Sequence, residues 1–213
     1  KVTLSLLEGF ESTCLIFALT LVLALPLGLV ISFGSMSKFK PLAYVTKVFV
    51  WIIRGVPLML QIFVVFYVPR LLWAMPFFTR FNAVIVAFVI NYACYFSEIY
   101  RGGIESIPKG QYEAAMALGV RYVPMMKDII LPQAIKSVLP ILVNEFISLL
   151  KNTTLIASIG LVDILRVGQL IQSRTYRAFE PFFAIAVFYY ILVMGLSFLG
   201  KLLERWVNKS DRR

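Results

Sequence analysis

Leu21-Val22-Leu23-Ala24-Leu25 stands inside an apolar run over residues 12–33. A membrane β-strand alternates lipid-facing and lumen-facing side chains over segments of about ten residues, and five consecutive apolar side chains do not alternate. A helix crosses the hydrocarbon core with about 20 mostly apolar residues, which this run supplies. Four more runs follow, near residues 45–68, 81–100, 137–160 and 181–201. The expectation is an all-α membrane protein of about five transmembrane helices, with residues 1–213 forming a single domain. The first run lacks a basic leading region and an Ala-x-Ala cleavage site, so it counts as a span and not as a removable signal.

Composition agrees with that reading. Of the 213 residues, 60% are hydrophobic and 15% charged, against roughly 45–50% and about 25% in soluble domains. The formal net charge of +10 fits basic membrane edges better than a nucleic-acid binder, which would not be this apolar. No His is present, which removes His-based metal sites, His general bases and Ser-His-Asp triads. Cys14 and Cys94 lie in apolar runs and read as small buried hydrophobes. Trp51, Trp73 and Trp206 read as interface anchors.

Lys and Arg are retained on the cytoplasmic side, so their distribution gives orientation. With the N-terminus outside, the inner segments hold Lys38, Lys40, Lys47, Arg101, Lys109, Arg121, Lys127, Lys136, Lys201, Arg205, Lys209, Arg212 and Arg213. The outer segments hold Lys1, Arg70, Arg80, Arg166, Arg174 and Arg177. Thirteen against six predicts N-terminus out and C-terminus in, with residues 161–180 as an unusually basic outer loop.

The polar segment 101–136 is longer than a helix-to-helix connection needs. Glu113-Ala114-Ala115-Met116-Ala117-Leu118-Gly119 is a helix-forming run closed by a glycine suited to a left-handed cap. Pro124 fits the first turn of a second helix. Two short helices at an angle are expected on the cytoplasmic face, with Glu113 near a helix start, where the dipole favours an acid.

Glu-Ala-Ala, three residues, Gly, nine residues, Ile, one residue, Leu-Pro resembles the loop of ABC importer permeases, matched by Glu113, Ala114, Ala115, Gly119, Ile129, Leu131 and Pro132. Arg54-Gly55-Val56-Pro57-Leu58-Met59-Leu60-Gln61 resembles the Arg-Gly-Thr-Pro-Leu-x-x-Gln segment of the polar amino acid (histidine, glutamine, arginine) permeases. The stretch from Asn91-Tyr92-Ala93 to Ile104 is similar to their third span, and Lys151-Asn152-Thr153-Thr154-Leu155 to their Lys-Asp-Thr-Ser-Leu. Val56 stands in place of Thr and Asn152 in place of Asp, so a relative's substrate does not transfer directly. The resemblance implies a type I ABC importer transmembrane domain in a bacterial cell membrane, whose 101–136 loop is a coupling helix docking on the ATPase. It implies a cytoplasmic ATPase dimer carrying ATP and Mg, a second permease chain, identical or homologous, an extracytoplasmic substrate-binding protein and an amino acid substrate, with membrane lipid around the spans and no nucleic acid.

Ionisable groups in hydrocarbon cost a few kcal/mol or more, so Arg54, Glu98, Glu145 and Lys151 each need a partner, water or a substrate. At 100° per residue, Asn144, Glu145, Ser148, Lys151 and Asn152 share an arc of about 120°. Asn91, Tyr92, Tyr95 and Glu98 share another, and Arg54 and Gln61 lie close to one face. These stripes are either interhelical hydrogen bonds or the lining of a path for a zwitterion. In the second reading Glu145 and Glu98 meet an ammonium, while Arg54, Lys151 or the backbone beside Gly55 and Pro57 meets a carboxylate. Gln61, Asn91, Ser148, Thr153 and Thr154 complete the candidate path.

No Gly-x-x-x-x-Gly-Lys-Ser/Thr loop occurs, so a chain of this kind carries no cofactor of its own and relies on a partner to hydrolyse ATP. Five spans are few to enclose a path, which argues for two permease chains. The competing readings are a permease for another small solute, a self-contained secondary transporter or channel, which predicts an internal repeat that is not seen, and an intramembrane enzyme, for which a chain without His offers few catalytic pairs.

Overall fold

The computed structural model describes residues 2–73, 78–177 and 179–209. Lys1, Arg212 and Arg213, used in the charge balance, lie outside the described residues, as does the side chain of Trp73. Every regular element among the described residues is helical: α1 (Val2–Ser35), α2 (Lys40–Gly55), α3 (Leu58–Trp73), α4 (Arg80–Glu105) and α5 (Lys109–Ala117), then α6 (Tyr122–Pro124), α7 (Leu131–Asn152), α8 (Ile164–Thr175) and α9 (Phe179–Asn208).

Helix α4 is the hub. Thr79 caps its start, accepting a hydrogen bond from the Asn82 amide at 3.2 Å, and α1, α2, α3 and α7 pack around it. Phe88, Tyr92 and Phe96 are fully buried there with Ile16, Ile62 and Leu149. A close crossing is at Gly28 of α1, where a Cβ would stand 2.8 Å from Phe96 Cβ and 2.9 Å from the Ala93 carbonyl oxygen. Only a residue without a Cβ lets the two backbones meet this way. Helix α9 contrasts with α4: Phe183, Ile191, Phe198 and Trp206 project outward, a surface that lipid tails solvate as well as a protein core would.

Leu6–Ser35, Arg80–Glu105, Tyr122–Ile159 and Phe179–Val207 are each long and apolar enough to cross a membrane. The span over 45–68, which Pro57 interrupts in the sequence, is a bent pair, α2 and α3, with axes turned by 102°. The cause is local. Pro57 has no amide hydrogen and excludes the helical conformation from its predecessor, so Val56 is extended at φ −102° and ψ 130°.

The segment 101–136 also differs from expectation. Helix α4 continues to Glu105, and α5 forms at Lys109–Ala117. The second short helix does not stand alone, because α6 runs through a π-helical stretch, Met125–Ile130, into α7 and on through a 3₁₀ turn, Thr153–Ile159. The whole forms one 38-residue candidate span. The π stretch falls just before Pro132, which cannot donate to the preceding turn and whose ring crowds the Asp128 carbonyl, so the helix widens there. Glu113 is the fifth residue of α5, not near its start, since Pro108 caps the helix four residues earlier than the motif indicates. The dipole argument for Glu113 therefore fails. The basic outer loop expected over 161–180 holds α8.

Candidate functional site

The break between α2 and α3 frees the carbonyls that would have continued the α2 ladder. Gln61, one turn into α3, reaches back to serve them: its Nε2 donates to the carbonyls of Ile53 at 2.6 Å and Val56 at 2.8 Å. Its Oε1 accepts from Asn91 Nδ2 of α4 at 3.2 Å. The spacing from Pro57 to Gln61 thus becomes a geometric device, since both ends of one amide hold the kink against the hub helix.

Beside the kink lies a cavity of about 610 Å³. Arg54, Gly55, Val56 and Pro57 form one wall, Asn91, Tyr92 and Tyr95 of α4 another, and Glu145, Ser148 and Asn152 of α7 a third. The three polar stripes therefore converge. Asn152 Nδ2 donates to the Tyr92 hydroxyl at 2.8 Å, and Ser148 Oγ donates to the Asn144 carbonyl at 3.1 Å. Glu145 is half-buried and lines the same chamber as Arg54. Acidic and basic side chains thus share one polar chamber, able to meet both ends of a zwitterion.

A second cavity of about 570 Å³ adjoins it, lined by Glu98, Ile99, Gly102, Gly103, Ser106, Ser137 and Val138 together with Arg54, Tyr95 and Glu145. Glu98 belongs to this lower chamber. Its Oε2 lies 3.5 Å from Arg54 Nη1 and 2.8 Å from Arg101 Nη2, and its Oε1 accepts from Arg101 Nε at 3.1 Å. Arg101 in turn reaches Glu105 at 2.6 Å. Among the candidate path residues, Gln61 is buried behind the kink, and Lys151, Thr153 and Thr154 do not line either chamber. Lys151 points to the exposed side, Thr154 bonds the Lys151 carbonyl at 2.9 Å, and Thr153 is fully buried, 3.2 Å from the Tyr189 hydroxyl of α9. Sequence reasoning misses the role of Arg101; its position one turn after Glu98 is the available signal.

The loop motif folds into a compact outer knob. Ala115 is buried with Ile107, Met125, Ile130 and Ala134, and Ile129 packs against them. Gly119 adopts φ +74°, with its amide donating to Met116 and the Val120 amide to Ala115, a complete Schellman closure. Glu113, Ala114, Leu131 and Pro132 are exposed, beside exposed Met116, Leu118, Tyr122 and Val123. The motif thus divides into residues that build the knob and residues that face outward from it.

One buried acid lies apart from the chambers. Asp163 starts α8, its Oδ1 accepting from the Arg166 amide at 2.7 Å. The residue has no exposed surface, and Oδ2 has no hydrogen-bond partner among the described residues. Burial pushes its carboxyl up to about 6. Among the described residues no group of three or more acids and cysteines is placed to hold a metal.

A family described as binding-protein-dependent transport system inner membrane component matches residues 24–209. The arginine transport system permease protein ArtQ of Bacillus subtilis is 41% identical over 97% of this chain and 94% of its own. The putative glutamine transport system permease protein GlnP of Rickettsia felis is 35% identical over 95% and 92%. A solved amino acid ABC transporter with histidines superimposes with a TM-score of 0.89 at 36% identity, covering 95% of this chain and 94% of that one.

Proposed function

The chain belongs to the family of binding-protein-dependent transport system inner membrane components, and from that premise we propose that it is the permease subunit of an ATP-driven importer of a polar amino acid. Membership makes it a membrane-embedded component of an ABC system, with ATP hydrolysis carried out by a separate subunit and a second permease chain beside it. The whole described chain then acts as one transmembrane domain, N-terminus outside and C-terminus inside. The knob around α5 docks on the cytoplasmic ATPase dimer, which holds ATP and Mg, and an extracytoplasmic binding protein delivers cargo from the other side.

The observation that carries the amino acid reading is the convergence of Glu145, Arg54 and the kink backbone at Gly55 and Pro57 on one chamber. An α-amino acid presents an ammonium and a carboxylate a few ångströms apart, and it needs an acceptor for one and donors for the other. Glu145 and Asn91 supply acceptors; Arg54 and the second amide hydrogen of Asn152 supply donors. The cargo named for ArtQ and GlnP, arginine and glutamine, is of this class. Coupling follows from the knob: Glu113 and the exposed Met116, Leu118 and Tyr122 offer a mixed acidic and apolar face to the ATPase, while buried Ala115 keeps α5 pressed on the span that contains Glu145.

Uptake by the complete complex, reconstituted in vesicles with ATP inside, tests this. Glu145→Ala is expected to lower amino acid uptake about tenfold or more with the ATPase still co-purifying. Uptake that survives Glu145→Ala unchanged sinks the path assignment. Unimpaired uptake with Glu113→Lys, or failure of any ATPase to co-purify, sinks the coupling assignment.

A further inference from the structure

The two chambers share three side chains, Arg54, Tyr95 and Glu145. Residues that line both cavities form the wall between them. Tyr95 is fixed on the hub helix and Glu145 on α7, whereas Arg54 sits in the last turn of α2, next to the kink, with its side chain 41% exposed. Its guanidinium lies 5.0 Å from the centre of the Tyr95 ring and reaches Glu98 through one 3.5 Å approach. A guanidinium has five donors in a planar fork suited to a carboxylate, so this arrangement uses little of its capacity.

Glu98 does not depend on Arg54. Arg101 grips both carboxylate oxygens, at 2.8 and 3.1 Å. Taking the only partner from a part-buried carboxylate is costly, but here the stronger partner stays behind when Arg54 leaves. The pair is therefore built to exchange on the Arg54 side.

We infer that Arg54 is a carboxylate-reading latch between the chambers. In the arrangement seen here it leans on Glu98 and Tyr95 and closes the wall between the chambers. When an amino acid enters, its carboxylate takes the fork of Arg54, the guanidinium turns from Glu98 toward the upper chamber, and the wall is left to Tyr95 and Glu145. Cargo without a carboxylate does not draw the latch. This rests on the amino acid reading of the upper chamber and adds which end of the cargo is sensed, and by what.

The test compares, in the complete reconstituted transporter, the KM for the standard amino acid that the wild type takes up best with the KM for its carboxamide. Wild type is expected to favour the acid by about tenfold or more. Arg54→Gln is expected to raise the KM of the acid toward that of the carboxamide while leaving the carboxamide within about twofold. Glu98→Gln, which removes the competing anion, is expected to lower the KM of the acid severalfold and to raise ATPase activity without cargo. Arg54→Lys, which keeps the charge and loses the fork, is expected to fall between wild type and Arg54→Gln, and co-purification of the ATPase shows that each variant assembles. Equal rises for acid and carboxamide in Arg54→Gln, or an unchanged KM in Glu98→Gln, overturn the latch while the amino acid reading stands. A wild type that takes up none of the twenty amino acids overturns both.

Discussion

Two helix ends face the working surfaces of this chain, and they are closed by different means. The end of α5 is closed by its own backbone, with Gly119 at φ +74° returning two amide bonds within six residues. The end of α2 is closed by Gln61, a side chain from the next helix, which Asn91 of a third helix holds in turn. The first closure is self-contained and sits at the surface, so its failure stays local. The second ties three helices at the chamber wall, so its failure spreads. A surface knob closed by its own backbone tolerates change around it; a kink that shapes a cavity does not.

The largest expected effect follows from this. Gln61→Leu leaves the Ile53 and Val56 carbonyls and the Asn91 amide unpaired in a low-dielectric interior, at about 1–3 kcal/mol for each buried group. Thermal unfolding of the purified complex should show a loss of several kcal/mol together with loss of transport; a loss below about 1 kcal/mol would mean that water serves those carbonyls and that the two closures differ little.

Asp163 extends the comparison to a helix start closed by a buried side chain. Its folded pKa of about 6 lies above the free value of 3.8, so the folded protein binds the proton more tightly. The stability this contributes is fully present below about pH 4 and is lost as pH rises through 6. Asp163→Asn caps α8 comparably without the charge. It should therefore be more stable than wild type at pH 8 by roughly 3 kcal/mol and equal to it near pH 4, since each tenfold gain in proton affinity is worth about 1.36 kcal/mol. A gain that does not vary with pH would mean that the buried charge is not its source.

Gly119→Ala comes next. A Cβ there meets open space, so the cost is conformational alone, about 1–2 kcal/mol. Its expected signature is a modest loss of stability with weaker retention of the ATPase and little change in cargo affinity. A large change in KM would break the contrast between the local and the wired closure. The smallest effect sets the floor: Arg177→Ala removes an exposed pair with Glu180 at 3.4 Å and should cost below about 1 kcal/mol in the same unfolding measurement.

What is legible from residues alone divides along the same line. Spans can be counted because about 20 apolar residues announce themselves in series, and the α5 knob can be drawn because Ala115, Gly119 and Pro132 act over short spacing. The stripes on α4 and α7 follow from helical period, and they do converge. The bend at Pro57 is visible as an interruption, but its 102° turn is not, because the angle depends on how α3 packs on α4. For the same reason Gln61 reads as a path residue although its amide is engaged with the kink, and Thr153 likewise although it turns toward Tyr189. Neither spacing nor composition can tell which side of a polar stripe meets a cavity and which meets another helix. The burial of Asp163 depends on the start of α1, where Gly9 lies against it, and no local pattern carries a contact so remote in sequence.

The π stretch at Met125–Ile130 has a mechanical meaning. A π turn stores one residue more than an α turn. Drawing that residue into regular helix would turn everything ahead of it by about 100° and advance it about 1.5 Å. The knob is packed across that stretch, with Ala115 of α5 buried against Met125 and Ile130 within it and Ala134 beyond it, so a change of register there would have to carry α5 with it.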